Sequence, residues 1–134
     1  MRALQRFLIT AACGFVLPIL AAPAQPSLKD VMVKVVEPAS NALFYISREP
    51  PQSDEQWKTL QGQALMLLEI ANSLTTPARA KDKRQWMRDA KLLIDASAAA
   101  YEAANAKSLT ALEALNDPLY TACATCHEHY LPKR

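Results

Sequence analysis

The last dozen residues of the chain hold the side chains that are best suited to binding a cofactor. They include the run Cys123-Ala124-Thr125-Cys126-His127, and a second histidine, His129, follows. On a helix, residues three and four apart share a face, so Cys123, Cys126 and His127 would point in one direction. Two thiols and an imidazole with this spacing form C-x-x-C-H, the attachment motif for haem of the c type.

The motif predicts one haem c, bound covalently. The thiols of Cys123 and Cys126 would form thioether bonds to the two vinyl groups of the same haem. The imidazole of His127, one turn from Cys123, would then bind the iron. The predicted cofactor site therefore consists of Cys123 and Cys126 as attachment points and His127 as an axial ligand.

Two other uses of this segment stay open at this point. Zinc binds thiolates and imidazoles, and the segment offers Cys123, Cys126, His127 and His129, although four ligands within seven residues would be strained around a tetrahedral ion. A redox-active dithiol would usually follow a strand in a βαβ unit, a pattern that this chain lacks. His129 lies two residues from His127, so helical spacing predicts a solvated surface position for it.

The first 24 residues have the features of a signal peptide. Arg2 and Arg6 precede an apolar stretch, and Ala22-Pro23-Ala24 offers a cleavage site. We therefore expect residues 1–24 to direct export to the periplasm and then to be removed. Residues 25–134 are long enough for one domain.

The composition of the predicted mature chain excludes several classes of protein. Removal of Arg2 and Arg6 takes the formal net charge from +2 to zero, which disfavours nucleic-acid binding and leaves no net charge to steer a partner. Only Gly62 remains of the 2 glycines, which disfavours tight hairpins and phosphate-binding loops. Cys13 leaves lipoprotein anchoring open as a minor alternative. No segment after the leader is apolar enough to insert stably in a membrane.

The spacing of apolar residues predicts four helices. They cover about residues 27–49, 53–77, 83–106 and 117–131, with a short helical turn at 108–115. Ser27, Ser53 and Asp117 are the expected N-caps of the first, second and last helices, and Pro38 is expected to bend the first. Trp57, Trp86 and Tyr101 are expected to face inward. Helices of these lengths with short links predict an all-α fold, an antiparallel four-helix bundle.

With this layout the chain resembles the class II cytochromes c, the group that contains cytochrome c′ and its low-spin relatives. These proteins share a four-helix bundle and a C-x-x-C-H-x-x-Y ending, which Tyr130 completes here. The resemblance covers the layout of the mature chain, and its specific motif lies in the last dozen residues. Family members commonly carry Arg or Lys after the tyrosine, where this chain has Leu131. A basic contact to a haem propionate would therefore come from elsewhere, with Arg79, Lys81 and Arg84 as candidates.

The resemblance also implies the second axial ligand. In the low-spin branch a methionine near the start of the first helix binds the iron, and Met32 occupies that place. In cytochrome c′ proper the distal side is closed by an apolar residue and the iron stays five-coordinate. A methionine on an apolar stripe is also ordinary core packing, which is what we expect of Met66 and Met87.

These observations predict a periplasmic monohaem c-type cytochrome that transfers single electrons and is not an enzyme. Its partners would be redox proteins, and homodimerisation stays open because many class II cytochromes pair through their first two helices. The alternative is a five-coordinate or labile-methionine haem protein that binds NO or CO. A peroxidase-like enzyme would need a polar distal group, whereas the first helix offers only apolar residues and Lys34.

Overall fold

The computed structural model describes residues 25–132, and all regular secondary structure in that range is helical. The α-helices there are α1 (Leu28–Val31), α2 (Glu37–Phe44), α3 (Asp54–Ser73), α4 (Gln85–Asn105), α5 (Leu109–Glu113) and α6 (Asn116–Tyr130). A π-helical segment, Met32–Val36, joins α1 to α2. The all-α prediction is confirmed. The expected signal peptide and Cys13 lie outside the described residues.

Serine side chains cap three of the helices. Ser27 accepts a hydrogen bond from the backbone N–H of Asp30, and Ser53 accepts one from the N–H of Gln56. Ser108 does the same for α5. Each serine has extended backbone geometry and satisfies one of the free N–H groups at its helix start. The predicted caps at Ser27 and Ser53 are confirmed, and so is the short helical turn after Ser108.

The start of α6 differs from the prediction. The helix begins at Asn116, and the residue before it, Leu115, already has helical backbone angles. Asp117 therefore lies inside the first turn and does not cap the helix. The chain passes almost without interruption from the turn after α5 into α6, which leaves no extended residue to act as an N-cap.

The first helix is interrupted before Pro38 rather than at it. The N–H of Glu37 donates to the carbonyl of Met32, which closes a wide turn of the π type. This turn separates Val31 from Val36 by five residues and brings both into the core, where they are 5% and 7% exposed. Pro38 lies in the first turn of α2, directly after the π segment.

The two long helices, α3 and α4, pack through small residues. Ala64 of α3 and Ala100 and Ala104 of α4 are each 0% exposed. Such small side chains allow two helix backbones to approach closely. The same packing leaves Met66 and Met87 on the outside, 47% and 37% exposed, so the expectation that both fill the core is wrong.

Trp86 joins three helices beside the C-terminal motif. It is 2% exposed, and its indole N–H donates to the carbonyl of Leu74, at the end of α3, over 2.6 Å. Its ring packs edge-on against Tyr130 of α6, with ring centroids 4.9 Å apart. The inward position predicted for Trp86 is confirmed, and Trp57 and Tyr101 are partly buried against the core.

We expect Trp86→Ala to lower the free energy of unfolding by about 3–5 kcal/mol, the usual loss for deleting a buried aromatic side chain. Trp86→Phe should lose less, because it keeps most of the apolar burial and gives up the bond to Leu74. Urea denaturation followed by circular dichroism measures both losses. Trp57→Ala is the control at a half-buried position, and an equal loss there would contradict the central role of Trp86.

Candidate functional site

The structure places the four predicted site residues around two adjoining cavities. The larger, which we call the site cavity, has a volume of about 390 Å³, and the smaller, the inner cavity, about 40 Å³. Met32, Cys126 and His127 line both of them, and Cys123 lines the inner cavity. The π segment and α6 are thus brought together at this point, and the binding roles of the four residues stay predictions.

Apolar side chains form most of the walls. The site cavity is lined further by Leu28, Lys29, Val33, Lys81, Trp86, Tyr130 and Leu131. The inner cavity is closed by Val36, Leu74, Asp89, Ala90 and Leu93. His127 is solvent-exposed on the last turns of α6, while both cysteines are half-buried. Walls of this kind suit a flat, mainly apolar group that reaches the surface at one edge.

The two cysteines are free thiols with raised pKa values. Burial raises the pKa of Cys123. Burial, followed by the negative charge of Asp89 and the neighbouring Cys123, raises the pKa of Cys126 to about 11. Both groups are therefore protonated at neutral pH. Because a redox dithiol acts through its thiolate, this environment disfavours the dithiol alternative.

The geometry also disfavours the zinc alternative. Within residues 25–132, no three His, Cys, Asp or Glu side chains converge in a way that would hold a metal ion. His129, the fourth ligand of that hypothesis, instead places its Nδ1 2.7 Å from Oδ2 of Asp89. A tetrahedral site would need His129 beside the two thiols.

The Asp89–His129 pair is a part of the site that the sequence analysis missed. Asp89 is 1% exposed and lines the inner cavity, and it also accepts a hydrogen bond from Nε2 of Gln85 over 2.7 Å. The surface position expected for His129 is confirmed, since it is exposed, and its ring, 40% exposed, also bonds to this buried carboxylate. The sequence could have indicated this pair through Asp89, because an acidic residue on the apolar stripe from Trp86 to Leu93 needs a polar partner when it is buried.

A second carboxylate, Asp82, fastens the loop before α4 to the end of α6. It accepts hydrogen bonds from the N–H groups of Arg84 and Trp86, at 2.8 and 3.2 Å, and a third from the hydroxyl of Tyr130. The bond from Tyr130, followed by the backbone bonds, lowers the pKa of Asp82 to about 2. Burial and the bond to Asp82 raise the pKa of Tyr130 to about 12.

These shifts predict an acid-sensitive contact. The pKa of Asp82 is about 2 in the folded state, against an ordinary value of 3.8. Its stabilising effect is therefore complete above about pH 4 and is lost as the pH falls through 2. Tyr130→Phe removes the largest cause of the shift, so we expect a shallower fall in the free energy of unfolding between pH 4 and 2. Urea titrations across this range measure it, and an unchanged pH profile would contradict the link.

No family model, curated protein or solved structure matches this chain. Its relation to the class II cytochromes c therefore stays a resemblance, carried by the C-x-x-C-H-x-x-Y ending and the helical layout. None of the described helices is long and apolar enough to cross a bilayer.

Proposed function

We propose that this protein is a periplasmic c-type cytochrome that transfers single electrons through one covalently bound haem. Cys123 and Cys126 would hold the haem, and His127 and Met32 would bind its iron. The observation that carries the proposal is the position of Met32. It lies far from the motif in sequence, yet it lines both cavities together with Cys126 and His127.

The donor set and the walls fit a haem. Two thiols three residues apart on α6 have the spacing needed for two thioether bonds to one ring. An imidazole on the same helix and a thioether from the π segment supply two neutral ligands of the kind found in electron-transfer cytochromes. The apolar side chains of Leu28, Trp86 and Leu93 line the cavities and would cover the faces of such a plate.

A bound haem supplies the one-electron chemistry, and the protein supplies ligation, burial and orientation. Met32 and His127 would supply two neutral donors to the iron in both oxidation states. The soft thioether of Met32 would favour ferrous iron and raise the reduction potential. Leu74 and Leu93, 2% and 7% exposed, exclude water from the inner side.

We further propose an antiparallel four-helix bundle, made of the interrupted first helix with α3, α4 and α6. Three contacts support it. Lys107, after α4, pairs with Asp54 at the start of α3, and Trp86 at the start of α4 bonds to the end of α3. His129, at the end of α6, bonds to Asp89 near the start of α4.

The test is to express the full chain in a host with c-type maturation machinery and to record absorption spectra of oxidised, reduced and CO-treated protein. We expect sharp reduced bands, a weak far-red sulfur-to-iron band in the oxidised form, and no response to CO. Mass spectrometry should give a chain that starts at Gln25 and carries one haem. A colourless protein from this host would contradict the haem assignment.

The alternative is a haem protein that binds NO or CO in place of a labile Met32. One observation favours it: the π segment begins at Met32, and π turns are often found where a helix is locally adapted to function. Broad high-spin bands that shift on addition of CO would support this function and remove Met32 as a permanent ligand.

A further inference from the structure

Positive charge is concentrated in the segment that leads into α4 and borders the site cavity through Lys81. Five of the ten residues from Arg79 to Arg88 are Lys or Arg, and Asp82 is the only acid among them. Lys81 lines the cavity, and Lys29 lines it from α1. Neither of these two lysines takes part in the ion pairs found within residues 25–132. A mature chain without net charge therefore has a strongly basic region at this site.

Helix stability does not account for this basic cluster. The first turn of α4 contains no acidic residue and Arg84, at its N-cap position, makes no side-chain cap, so the carboxylate of Asp82, bonded to the N–H of Trp86, is the acid at this helix start. The positive end of a helix dipole favours acidic residues, so basic ones here are unfavourable. Repulsion between the five like charges adds to this effect. A negatively charged ligand or partner would offset this repulsion.

The acids near this basic region do not cancel its charge. Asp30 is ion-paired with Lys34, and Asp82 is bonded to Tyr130. Glu128 is exposed on α6. A haem would add the charge of its two propionates, and the basic residues of segment 79–88 together with Lys29 would still carry an excess of positive charge beside it.

An exposed apolar patch lies beside these lysines. Val33 and Leu131 both line the site cavity, and they are 54% and 56% exposed. An apolar centre with a charged rim is the arrangement found in many protein–protein interfaces. The edge of a group held in the cavity would lie next to this patch, so a partner that covers it would shorten the path for an electron.

We propose that this basic region and its apolar patch form the docking surface for an acidic one-electron carrier protein. The partner would present an apolar patch over its own redox centre, surrounded by Asp and Glu residues that face Lys29, Lys81 and the basic residues of segment 79–88. This inference rests on the proposed function and adds the chemistry of the partner to it. Complementary charge of this kind acts mainly on the association rate.

The test measures electron transfer from reduced holoprotein to two blue-copper proteins, one acidic and one basic, by stopped-flow absorption. We expect the acidic acceptor to react faster, with a rate constant that falls as salt is added. Lys81→Glu should lower this rate constant roughly tenfold at low ionic strength, and Lys29→Glu should act in the same direction. Towards the basic acceptor, Lys81→Glu should increase the rate.

Lys58→Glu is the matched control. Lys58 is exposed near the start of α3, which the Lys107–Asp54 pair joins to the far end of α4. Lys58→Glu changes the net charge by the same amount as Lys81→Glu, so a local docking surface predicts a change in the rate constant below about twofold. Equal effects of Lys81→Glu and Lys58→Glu would overturn the proposal.

A second pair of variants tests the apolar centre. Val33→Ser should weaken the complex with the acidic acceptor at high salt, where charge is screened. Leu65→Ser, at a position on α3 that is 38% exposed, should leave the complex unchanged. Equal binding by both variants would contradict a docking role for Val33.

Three further outcomes separate this proposal from others. Lys81-dependent binding to vesicles of phosphatidylglycerol, with no preference between the copper proteins, would assign the surface to a membrane and overturn protein docking. A methionine–histidine spectrum together with electron-transfer rates that do not depend on the charge of the acceptor would overturn docking and leave the proposed function in place. Absence of haem would overturn both.

Discussion

Replacing both Cys123 and Cys126 with alanine is expected to abolish covalent attachment of haem, from one haem per chain to none. The two thiols lie three residues apart on α6 and line the inner cavity together, and no other described cysteine exists within residues 25–132. Without them, only non-covalent contacts and the axial ligands would hold the group. Acid–acetone extraction followed by mass spectrometry measures the bound fraction.

Single replacements should give an intermediate result. Either Cys123→Ala or Cys126→Ala leaves one thioether, so we expect haem that resists extraction but has a shifted reduced band. Thr121→Ala, an exposed position on the same helix, should behave as wild type. Haem that remains covalently bound in the double variant would show that the motif is not the attachment site.

Replacing Met32 with leucine is expected to convert a protein that ignores CO into one that binds one CO per haem. Leucine keeps most of the volume, so we expect a loss of stability below about 1.5 kcal/mol. The variant lacks the thioether, so the far-red band should disappear and the reduction potential should fall. Met66→Leu, at a position 47% exposed, is the matched control and should change neither property.

Deleting Val33 tests the same ligand through the backbone. The π segment contains one residue more per turn than an α-helix, and Val33 is one of its exposed residues. Removing it should turn the five-residue spacing between Met32 and Glu37 into the four-residue spacing of an α-helix, which keeps Met32 on the same face of the first helix. We therefore expect the deletion variant to keep the wild-type spectrum and to show no response to CO. Met32→Leu protein that keeps the wild-type spectrum and still ignores CO would contradict Met32 as a ligand.

Local sequence patterns were sufficient to predict the helices and the C-x-x-C-H motif. Serine caps depend on a side chain and a backbone N–H two or three residues away, so Ser27, Ser53 and Ser108 are recognisable without the rest of the fold. The inward position of Trp86 follows from helical spacing. Asp117 misled the prediction because its role depends on the backbone of Leu115, which the preceding turn determines.

The pairings across helices were not predictable in this way. Asp82 with Tyr130 and Asp89 with His129 join residues more than thirty positions apart, and no periodicity relates such positions. The π segment allows the residues before and after it to face the core, because a regular α-helix would not bury both Val31 and Val36. Only packing against α3, α4 and α6 imposes that requirement.

The amino-acid sequence is enough to define the helical class, the helix starts at serine and the spacing of Cys123, Cys126 and His127, because each of these depends on neighbours within one or two turns. The position of Met32 beside the motif, the buried Asp89 and the place of the basic segment depend on which helices pack together. A net charge does not show where the charges lie, so the basic region beside the site cavity becomes visible only once the helices are packed.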